Sequence, residues 1–485
     1  MKRFIVILVS LFIVSINAFA QNSMIDEYRK FTQQTTKRYT DFRDECNGKY
    51  VEFLKQAWEY YKAAPVIPMP KEEETPPVVI EEDDREKPID DNELSYDEVI
   101  PAPVVEPQPQ PIEPVQPQPV IVETWFEFPF FNTAMKVRAD DSHRFKLTSL
   151  DGSDVAKVWE KLMTDLYDNM LIDCLRIREE HQLCDWAYLL MLLHFSGEFL
   201  QSENEMILLT AYLYSQSGYK MRLGADENGL TILFGTNHQI YDIPYFDIDG
   251  DYYYPLNGGS EEMQIADFAF PNEKNLSLLV HSEPLLYRAE SDNRQLKSEG
   301  YGTVASCSVN TNLVAFFESY PSSQLDDNPM TRWAMYANTP LDSSVKQKLY
   351  PALGEAMDGK SYPEAANILL DFVQSAFVYE YDDKVWGGDR AFFAEESLFY
   401  PYCDCEDRSI LYSRLVRDLL GLDVILVYYP GHLATAVKFE EQINGDYIQL
   451  GSDKYLVCDP TYIGACIGMT MPDMDNNSAK VILLD

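Results

Sequence analysis

The stretch YPYCDCEDRSILYSRLVRDLLG, residues 400–421, decides the fold of the C-terminal part of the chain. Its apolar residues recur at helical spacing, which gives one buried face formed by residues 410, 411, 415, 416, 419 and 420. Asp404 and Asp407 have the spacing of a capping box, and Gly421 suits the position that follows a helix. This pattern predicts a helix that starts at 404–405, with Cys405 in its first turn.

The thiol of Cys405 would lie among opposing charges. The amide groups and the dipole at a helix N-terminus stabilise a thiolate, by ~0.3–1 kcal/mol at an exposed site. The carboxylates of Asp404, Glu406 and Asp407 act in the opposite direction. A thiolate at this position therefore needs a second positive partner.

Three strands are predicted after the helix, in the segments LDVILVYYP, HLATAVKF and KYLVCDPTY. His432 begins the second segment, so its imidazolium is the candidate partner of the thiolate. Asp459 ends the third segment directly before Pro460, which would terminate the strand. A carboxylate at this place is suited to hold the imidazole in one tautomer.

This order of motifs resembles the transglutaminase-like superfamily. The matched segments are CEDRS, PGHLATAV and CDPTY, preceded by FVQSAFVYEYDD, and the likeness covers about residues 330–485. The resemblance implies an α+β fold with a papain-like transglutaminase core, in which the helix that carries the cysteine packs on an antiparallel sheet. By position it makes Cys405 the nucleophile, His432 the base and Asp459 the residue that orients the base.

Two features of the site stay open at this point. Cys403 stands where the family often has glycine, which leaves room for a resolving or regulatory thiol. The motifs assign no oxyanion donor; the backbone N–H of Cys405 is the natural candidate, with Trp386 or Tyr402 as further options.

Other interpretations of the same residues were weighed. Cys403, Cys405, His432 and Cys458 form a soft, zinc-like ligand set, but paired Cys-x-x-Cys motifs are absent from the sequence. Cys458 also suits a packed core thiol. The main rival is a triad-like but inert site. We predict neither a cofactor nor a metal.

A second, weaker copy of the pattern lies upstream. A shift of 203 residues places SENEMILLTAYLYSQSGYKMRL (202–223) over CEDRSILYSRLVRDLLGLDVIL (405–426). Ser202 then stands where Cys405 does. This alignment suggests that residues ~150–260 are a degenerate copy of the same fold, with a binding or scaffolding role.

The remaining correspondences of this alignment are weaker. His238 can be laid over His432 only with a nine-residue gap, and Leu256 then falls on Asp459. The alternative is two unrelated amphipathic helices that are each followed by strands. A different order of helix and strands in the two segments would exclude a duplication.

The N-terminal region is predicted to direct export and to add a helix. Residues 1–20 have basic residues, an apolar run and a small-x-small site, which is typical of a signal peptide and implies a periplasmic or extracellular protein. Residues 21–63 are predicted as an amphipathic helix, because tyrosines recur at 28, 39, 50 and 61. An 11-residue period favours a slight right-handed supercoil. The helix either self-associates or docks onto a partner, or it packs on its own domain.

Composition bounds the rest of the chain. Residues 64–123 hold half of the 28 prolines and many acids, which predicts a stretched, disordered linker. The formal charge of −40 argues against nucleic acid as a partner, and no further apolar run suggests a membrane-embedded protein. The eight cysteines are too sparse for a disulfide scaffold. The predicted folded parts are an α+β domain (124–262), a β-rich connecting segment (263–327) and the transglutaminase-like domain (328–485).

These observations predict an exported thiol enzyme that acts on a protein or peptide substrate. The implied chemistry is amide hydrolysis or acyl transfer through a thioester on Cys405, with a peptidase or amidase favoured over cross-linking. The alternative is a non-catalytic binding or assembly protein with an inert transglutaminase-like fold.

Overall fold

The structure, a computed structural model, describes residues 42–71, 75–81, 90–112, 123–325 and 327–485. The architecture is mixed α and β, which confirms the α+β class. None of the helices in these ranges has the length and apolar character that a bilayer crossing requires. The described α-helices are α1 (42–54), α2 (Gly152–Leu162), α3 (Asp168–Glu180), α4 (Asp185–Leu200), α5 (Glu203–Gln216), α6 (Thr311–Glu318), α7 (Thr331–Asn338), α8 (Ser343–Met357), α9 (Tyr362–Ser375), α10 (Asp382–Val385), α11 (Ala394–Phe399) and α12 (Cys405–Leu420).

The strands are mostly short and form two large sheets and several two-stranded ones. In chain order they are β1 (Glu59–Lys62), β2 (Val78–Val79), β3 (Asn92–Glu93), β4 (Glu98–Ile100), β5 (Trp125–Phe130), β6 (Thr133–Arg138), β7 (Met221–Asp226), β8 (Gly229–Thr236), β9 (His238–Ile240), β10 (Phe246–Ile248), β11 (Asp251–Pro255), β12 (Glu262–Ala266), β13 (Arg294–Lys297), β14 (Val304–Cys307), β15 (Ser323–Leu325), β16 (Val378–Tyr379), β17 (Tyr402–Cys403), β18 (Val424–Tyr429), β19 (His432–Lys438), β20 (Asp446–Leu450), β21 (Asp453–Cys458), β22 (Tyr462–Ile463) and β23 (Lys480–Leu483).

The two large sheets curl to different degrees. Six antiparallel strands in the order β1-β12-β7-β8-β11-β10 form a nearly closed barrel. Seven strands in the order β3-β20-β21-β19-β18-β23-β4 form a half-barrel, in which the outer strands β3 and β4 run parallel to their neighbours.

The same arrangement of one helix and five strands occurs in both sheets. We call α5 with β7, β8, β10, β11 and β12 the upstream unit, and α12 with β18, β19, β20, β21 and β23 the C-terminal unit. Numbered along the chain from one to five, the strands lie in the order five, one, two, four, three in each unit. In both units the helix packs on the second strand. The order that would have excluded a duplication is therefore not found, and the duplication stays a prediction.

Helix α12 begins and ends where its capping residues predict. The side chain of Asp404 accepts a hydrogen bond from the N–H of Asp407, and the side chain of Asp407 accepts one from the N–H of Asp404. Gly421 follows the helix with φ of 65°, a left-handed conformation that glycine adopts without strain. The helix places Cys405 as its first residue.

The N-terminal helix differs from its prediction. Residues 21–41 lie outside the described part of the chain, and the described helix ends at residue 54 rather than 63. The aromatic segment EYYK that follows forms β1 and pairs with β12, because tyrosines fit a half-buried pleated surface well. Tyr50 is buried against Trp159, Phe268 and Phe270. Tyr50 and Phe53 of the aromatic stripe thus pack on the chain's own domain, whereas Phe42 is exposed.

The predicted linker is held against the body wherever it is described. Strand β2 pairs with β22, β3 with β20 and β4 with β23. Ile80, Leu94 and Ile100 are buried. The expected free spacer is not what these ranges form, because sheet edges offer unpaired backbone groups and scattered apolar residues find buried sites there.

The connecting segment 263–327 is only partly β. It contains the hairpin β13–β14, the short strand β15 and also helix α6, whose N-cap is Asn310. Aromatic residues of α6 reach the C-terminal part of the chain, where Phe317 stacks on Phe393 with 4.1 Å between ring centroids. One hydrophobic core accordingly continues from the upstream unit to residues such as Leu426 and Ile482.

Candidate functional site

The fold brings the three predicted site residues together. Cys405 is the first residue of α12, His432 is the first residue of β19, and Asp459 directly follows β21. Helix α12 packs on β19, and β21 pairs with β19. Cys405 and His432 line one cavity of about 340 Å³, and His432 Nε2 lies 2.9 Å from Asp459 Oδ2.

The carboxylate of Asp459 is fixed on both oxygens. Oδ2 bonds to the imidazole, and Oδ1 accepts hydrogen bonds from the N–H groups of Thr461 at 2.8 Å and Tyr462 at 3.3 Å. Asp459 is 2% exposed. A buried carboxylate held in this way gives the ring a single orientation.

Gln374 of α9 holds the turn that follows Asp459. Its Nε2 donates to the backbone carbonyls of Asp459 at 3.0 Å, Tyr462 at 2.8 Å and Ala465 at 3.2 Å. Its Oε1 accepts the N–H of Gly464 at 3.0 Å. The side chain is buried, so it acts as a brace inside the protein rather than at the surface.

The second nitrogen of the His432 ring is not bonded. Nδ1 is buried and has no hydrogen-bond partner among the described residues. When Nε2–H donates to Asp459, Nδ1 carries the lone pair of the neutral ring. The ring also stacks on Tyr429, with 6.4 Å between centroids. Nδ1 is thus the atom of His432 that is free to take up a proton.

The thiol of Cys405 is neutral in this arrangement. Its side chain is 2% exposed, and Sγ donates a hydrogen bond to Glu406 Oε2 at 3.2 Å. Burial raises the pKa of the Cys405 thiol well above its ordinary value, and the charges of Glu406 and Asp404 raise it further. A hydrogen bond from the backbone N–H of Leu433 lowers it but does not offset these effects. The expected thiolate is therefore not the form that this geometry favours.

The cavity is lined by residues from distant parts of the chain. Arg332 of α7 is buried and pairs with Asp389 at 3.1 Å. Further lining residues are Met69, Pro70, Lys71, Asp242, Trp333, Asp383, Gly387, Gly388, Glu406, Tyr428, Gly431 and Leu433. Residues 69–71 and Asp242 therefore form part of the cavity wall, although Cys405 and His432 belong to the C-terminal unit.

The candidates for an oxyanion donor are narrowed. The N–H of Cys405 lies at the first position of α12, where a helix offers it no carbonyl four residues earlier. The side chains of Trp386 and Tyr402 are not part of the cavity lining, whereas Gly387 and Gly388 are. The backbone of Cys405 remains the best-placed donor.

The other thiols have structural surroundings. All eight cysteines are free, and only Cys466 is exposed. Cys403 Sγ lies 4.0 Å from the carbonyl of Val378, and burial raises its pKa to about 11. Cys458 Sγ donates to the carbonyl of Leu456 at 3.5 Å. These separate partners do not favour a resolving thiol.

A group of carboxylates lies behind the helix start. Oxygens of Asp382, Asp404 and Asp407 are within 4.8 Å of one another, and this is the possible ligand cluster in the described part of the chain, in place of the cysteine and histidine set. Burial and the charge of Asp382 raise the pKa of Asp407 well above its usual range. Its Oδ1 accepts the N–H of Phe392 at 2.8 Å. The cluster has a capping role.

The strand register identifies the upstream counterparts of the histidine. Tyr429 pairs with His432 across the β18–β19 turn, and Asp226 pairs with Gly229 across the β7–β8 turn. Gly229 therefore occupies the position of His432, at the same 203-residue shift that relates the helices. The expected match of His238 is wrong, because His238 lies in β9, which pairs with β15 outside the unit.

The counterpart of the aspartate follows in the same way. Cys458 pairs with Thr435, and the N–H of Leu256 bonds to the carbonyl of Ile232, which is the equivalent of Thr435. Leu256 thus corresponds to Cys458, and Asn257 rather than Leu256 corresponds to Asp459. An ungapped shift of 203 residues finds Gly229 but places Leu256 on Asp459, so Asn257 is identified only by the strand register.

Comparison with models of known protein families, with curated proteins and with solved structures gave no match to this chain.

Two contributors to the site were not found from the sequence. Gln374 lies in an apolar helix, where its glutamine could have been noted as a polar residue on the buried side. The sequence did not indicate that residues 69–71 line the cavity, because the surrounding prolines and acids predict a free linker.

Proposed function

We propose that the C-terminal unit is a thiol enzyme with a transglutaminase-like, papain-like core, in a protein exported by its N-terminal signal. Cys405 Sγ attacks an amide carbonyl carbon while its proton passes to His432 Nδ1. The C–N bond then breaks, and the proton on Nδ1 leaves with the amine, so a thioester remains on Cys405. Water hydrolyses the thioester, and His432 takes and returns the second proton.

The observation that carries this proposal is the state of the His432 ring. Asp459 binds Nε2 at 2.9 Å, and Nδ1 has no partner in the described residues although it is buried beside the cavity that Cys405 lines. A buried histidine nitrogen without a hydrogen bond costs free energy, about 1–3 kcal/mol. A transient bond to a thiol offsets that cost.

The resting site needs one rearrangement before catalysis. Cys405 Sγ has to exchange its bond to Glu406 for one to His432 Nδ1. The burial that holds the thiol neutral would decrease if the cavity opened, and pairing with an imidazolium would favour the thiolate. Catalytic hydrogen bonds are often long or absent before substrate binds.

Hydrolysis is favoured over transfer to an amine. The superfamily resemblance, in which bacterial members are often peptidase-like, favours water as the acceptor. An amine acceptor would give cross-linking through the same thioester. The two reactions share every step up to the acyl-enzyme.

A second candidate function is binding or assembly with an inert site. The observation in its favour is the neutral, buried thiol of Cys405, which bonds to Glu406 and not to the ring. In this alternative both units act as scaffolds. The upstream unit has this role in either case, since Ser202, Gly229 and Asn257 cannot run the thiol mechanism.

Incubation with glutamine-containing peptides tests the proposal. We expect ammonia release or peptide cleavage by the full chain, loss of both in Cys405→Ala, and retention in Cys403→Ala. Added amine that is incorporated into the peptide would show transfer rather than hydrolysis. Absence of any acyl-enzyme mass on Cys405 would support the inert alternative.

A further inference from the structure

Residues 67–71, which lie upstream of β2, reach the cavity of the candidate site. The carbonyl of Ile67 accepts the N–H of Asp242 at 2.8 Å, and the N–H of Met69 approaches Asp242 Oδ1 at 3.4 Å. Met69, Pro70 and Lys71 then line the same cavity as Cys405 and His432. One side of the segment is thus fastened near the upstream unit.

The segment is fastened on the other side next to the catalytic histidine. The N–H of Thr75 donates to the carbonyl of Gly431 at 2.8 Å, directly before His432. Val78 and Val79 then pair with β22, which begins three residues after Asp459, and the N–H of Ile80 bonds to Ile463 at 3.0 Å. Ile80 is 4% exposed. The described residues on either side of the cavity therefore bracket the base and its orienting carboxylate.

These contacts are of a kind that an unrelated peptide could also make. The hydrogen bonds at Gly431 and along β22 go to backbone groups, and pairing of an extended chain with a strand edge depends on the backbone rather than on sequence. Proline at 68, 70, 76 and 77 keeps the segment extended before it binds, so little conformational entropy is lost. The contacts of residues 75–80 are those of an extended polypeptide.

We propose that this groove, formed by Gly431, β22 and the cavity above Cys405, binds an extended peptide, and that residues 67–71 and 75–80 occupy it within the same chain. The segment holds the site closed and keeps Cys405 buried. Its release admits a second peptide in the same direction and register. That this peptide is a substrate rests on the proposed function; that the groove binds peptide and covers the thiol does not.

Alkylation of Cys405 in the full chain tests the covering role. Thr75→Pro removes the N–H that bonds to Gly431, and Thr75→Ala keeps it and serves as the matched control. Iodoacetamide labelling is followed by peptide mass mapping, with exposed Cys466 as the internal reference. We expect Cys405 to label at least ~10-fold faster in Thr75→Pro, or in Thr75→Pro combined with Ile80→Asp, and at the wild-type rate in Thr75→Ala. Unchanged labelling in all three variants overturns the proposal.

Buried Cys174 reports whether a variant has unfolded, because it lies in the core of the upstream half. If Cys174 also labels, the test uses the wild-type chain, in which hydrogen exchange at the Thr75 amide is compared with the labelling of Cys405. Once each rate is divided by that of the unprotected group, equal protection of the Thr75 amide and of the Cys405 thiol means that both wait for the same opening. Protection of Cys405 more than ~10-fold above that of the amide means that something else covers the thiol, which contradicts the proposal.

A peptide added in trans tests the binding role without any turnover. A synthetic peptide of residues 67–80 should protect Cys405 of Thr75→Pro from iodoacetamide, returning labelling towards the wild-type rate, and a scrambled peptide should not. Equal effects of both peptides overturn the peptide groove. If protection occurs but no variant forms an acyl-enzyme, the groove stands and the enzymatic proposal fails.

Discussion

The upstream and C-terminal units share one topology and differ at the three positions that would carry chemistry. The C-terminal unit places Cys405 and His432 in one cavity. At the equivalent positions the upstream unit has Ser202, which is exposed, and Gly229. The two units therefore share a backbone arrangement but surround these positions with different side chains. In the upstream unit the difference comes from Asn204, which follows the start of the helix.

Asn204 fills the upstream position where the site would lie. Its Oδ1 accepts the N–H of Leu230 at 2.8 Å, and Leu230 is the equivalent of Leu433, whose N–H bonds to the thiol of Cys405. A Cβ on Gly229 would lie 2.5 Å from that same Oδ1. An imidazole cannot enter there, so the upstream unit is closed to the mechanism by packing as well as by composition.

The largest expected effect on turnover is the difference between substituting Cys405 at the start of α12 and substituting Ser202 at the start of α5. Cys405→Ala should abolish acyl-enzyme formation and lower turnover by about 10³-fold or more, since the nucleophile is lost. Ser202→Ala should leave turnover unchanged. Peptide hydrolysis by both purified variants is the measurement, and equal activities would remove the functional distinction between the units.

Asp459→Asn gives the C-terminal unit the residue found upstream at Asn257. The amide changes the hydrogen-bonding character beside His432 Nε2 and disfavours the tautomer that leaves Nδ1 unprotonated, so turnover should fall by about 10²- to 10⁴-fold. Asn257→Asp is the reciprocal control, with no gain or loss of turnover expected. An Asp459→Asn variant with wild-type kinetics would show that the carboxylate does not orient the base.

Removal of the brace at Gln374 should affect both stability and activity. Gln374→Ala leaves the buried carbonyls of Asp459, Tyr462 and Ala465 without their donor, at a cost of about 2–4 kcal/mol. Chemical denaturation measures this cost. Gln449→Ala is the matched control, because Gln449 donates to two carbonyls in an outer turn, and a smaller loss is expected there.

Crowding at Gly229 predicts a moderate loss of stability. Gly229→Ala places a Cβ against Asn204 and also strains a backbone with φ of 139°, which should cost about 1–3 kcal/mol. Gly354→Ala in α8 is the control, since nothing lies within 4 Å of its added Cβ and the helix gains slightly. Equal unfolding free energies for the two variants would contradict the packing argument.

The smallest effect is a pH dependence located beside the C-terminal unit. Burial raises the pKa of Glu395 in α11 to about 8, the charge of Glu283 adds to this rise, and a hydrogen bond from the backbone N–H of Asp342 acts in the opposite direction. The folded chain holds a proton that the unfolded chain releases above pH ~4.5, so this contribution to stability is present at low pH and is lost as pH rises to about 8. Glu395→Gln should therefore raise the melting temperature by a few degrees at pH 8 and leave it nearly unchanged at pH 5.

Local patterns predicted the C-terminal unit well. The capping box at Asp404 and the glycine at 421 predicted the helix limits, and the segments LDVILVYYP, HLATAVKF and KYLVCDPTY located β18, β19 and β21. The site residues could be named because each lies at the end of one of these elements. Gln374 was missed because its role depends on α9 packing across the turn, a contact between distant parts of the chain.

Long-range pairing explains the remaining differences. The 11-residue period predicts a helix for the segment EYYK, but this segment forms β1 at one edge of the nearly closed barrel. The proline-rich composition around Thr75 and Ile80 predicts a free linker. The backbone N–H of Thr75 nevertheless bonds to the carbonyl of Gly431, and that of Ile80 bonds to the carbonyl of Ile463. In these places the partner strand, not the local sequence, determines the structure.

The most direct test of the account is intact-mass measurement of the Thr75→Pro chain after rapid mixing with a small activated ester. Our account predicts that one acyl group is added on Cys405, that it turns over, and that His432→Ala slows its formation by about 10²-fold or more. Acylation spread over several residues, or a rate on Cys405 that does not depend on His432, would contradict it.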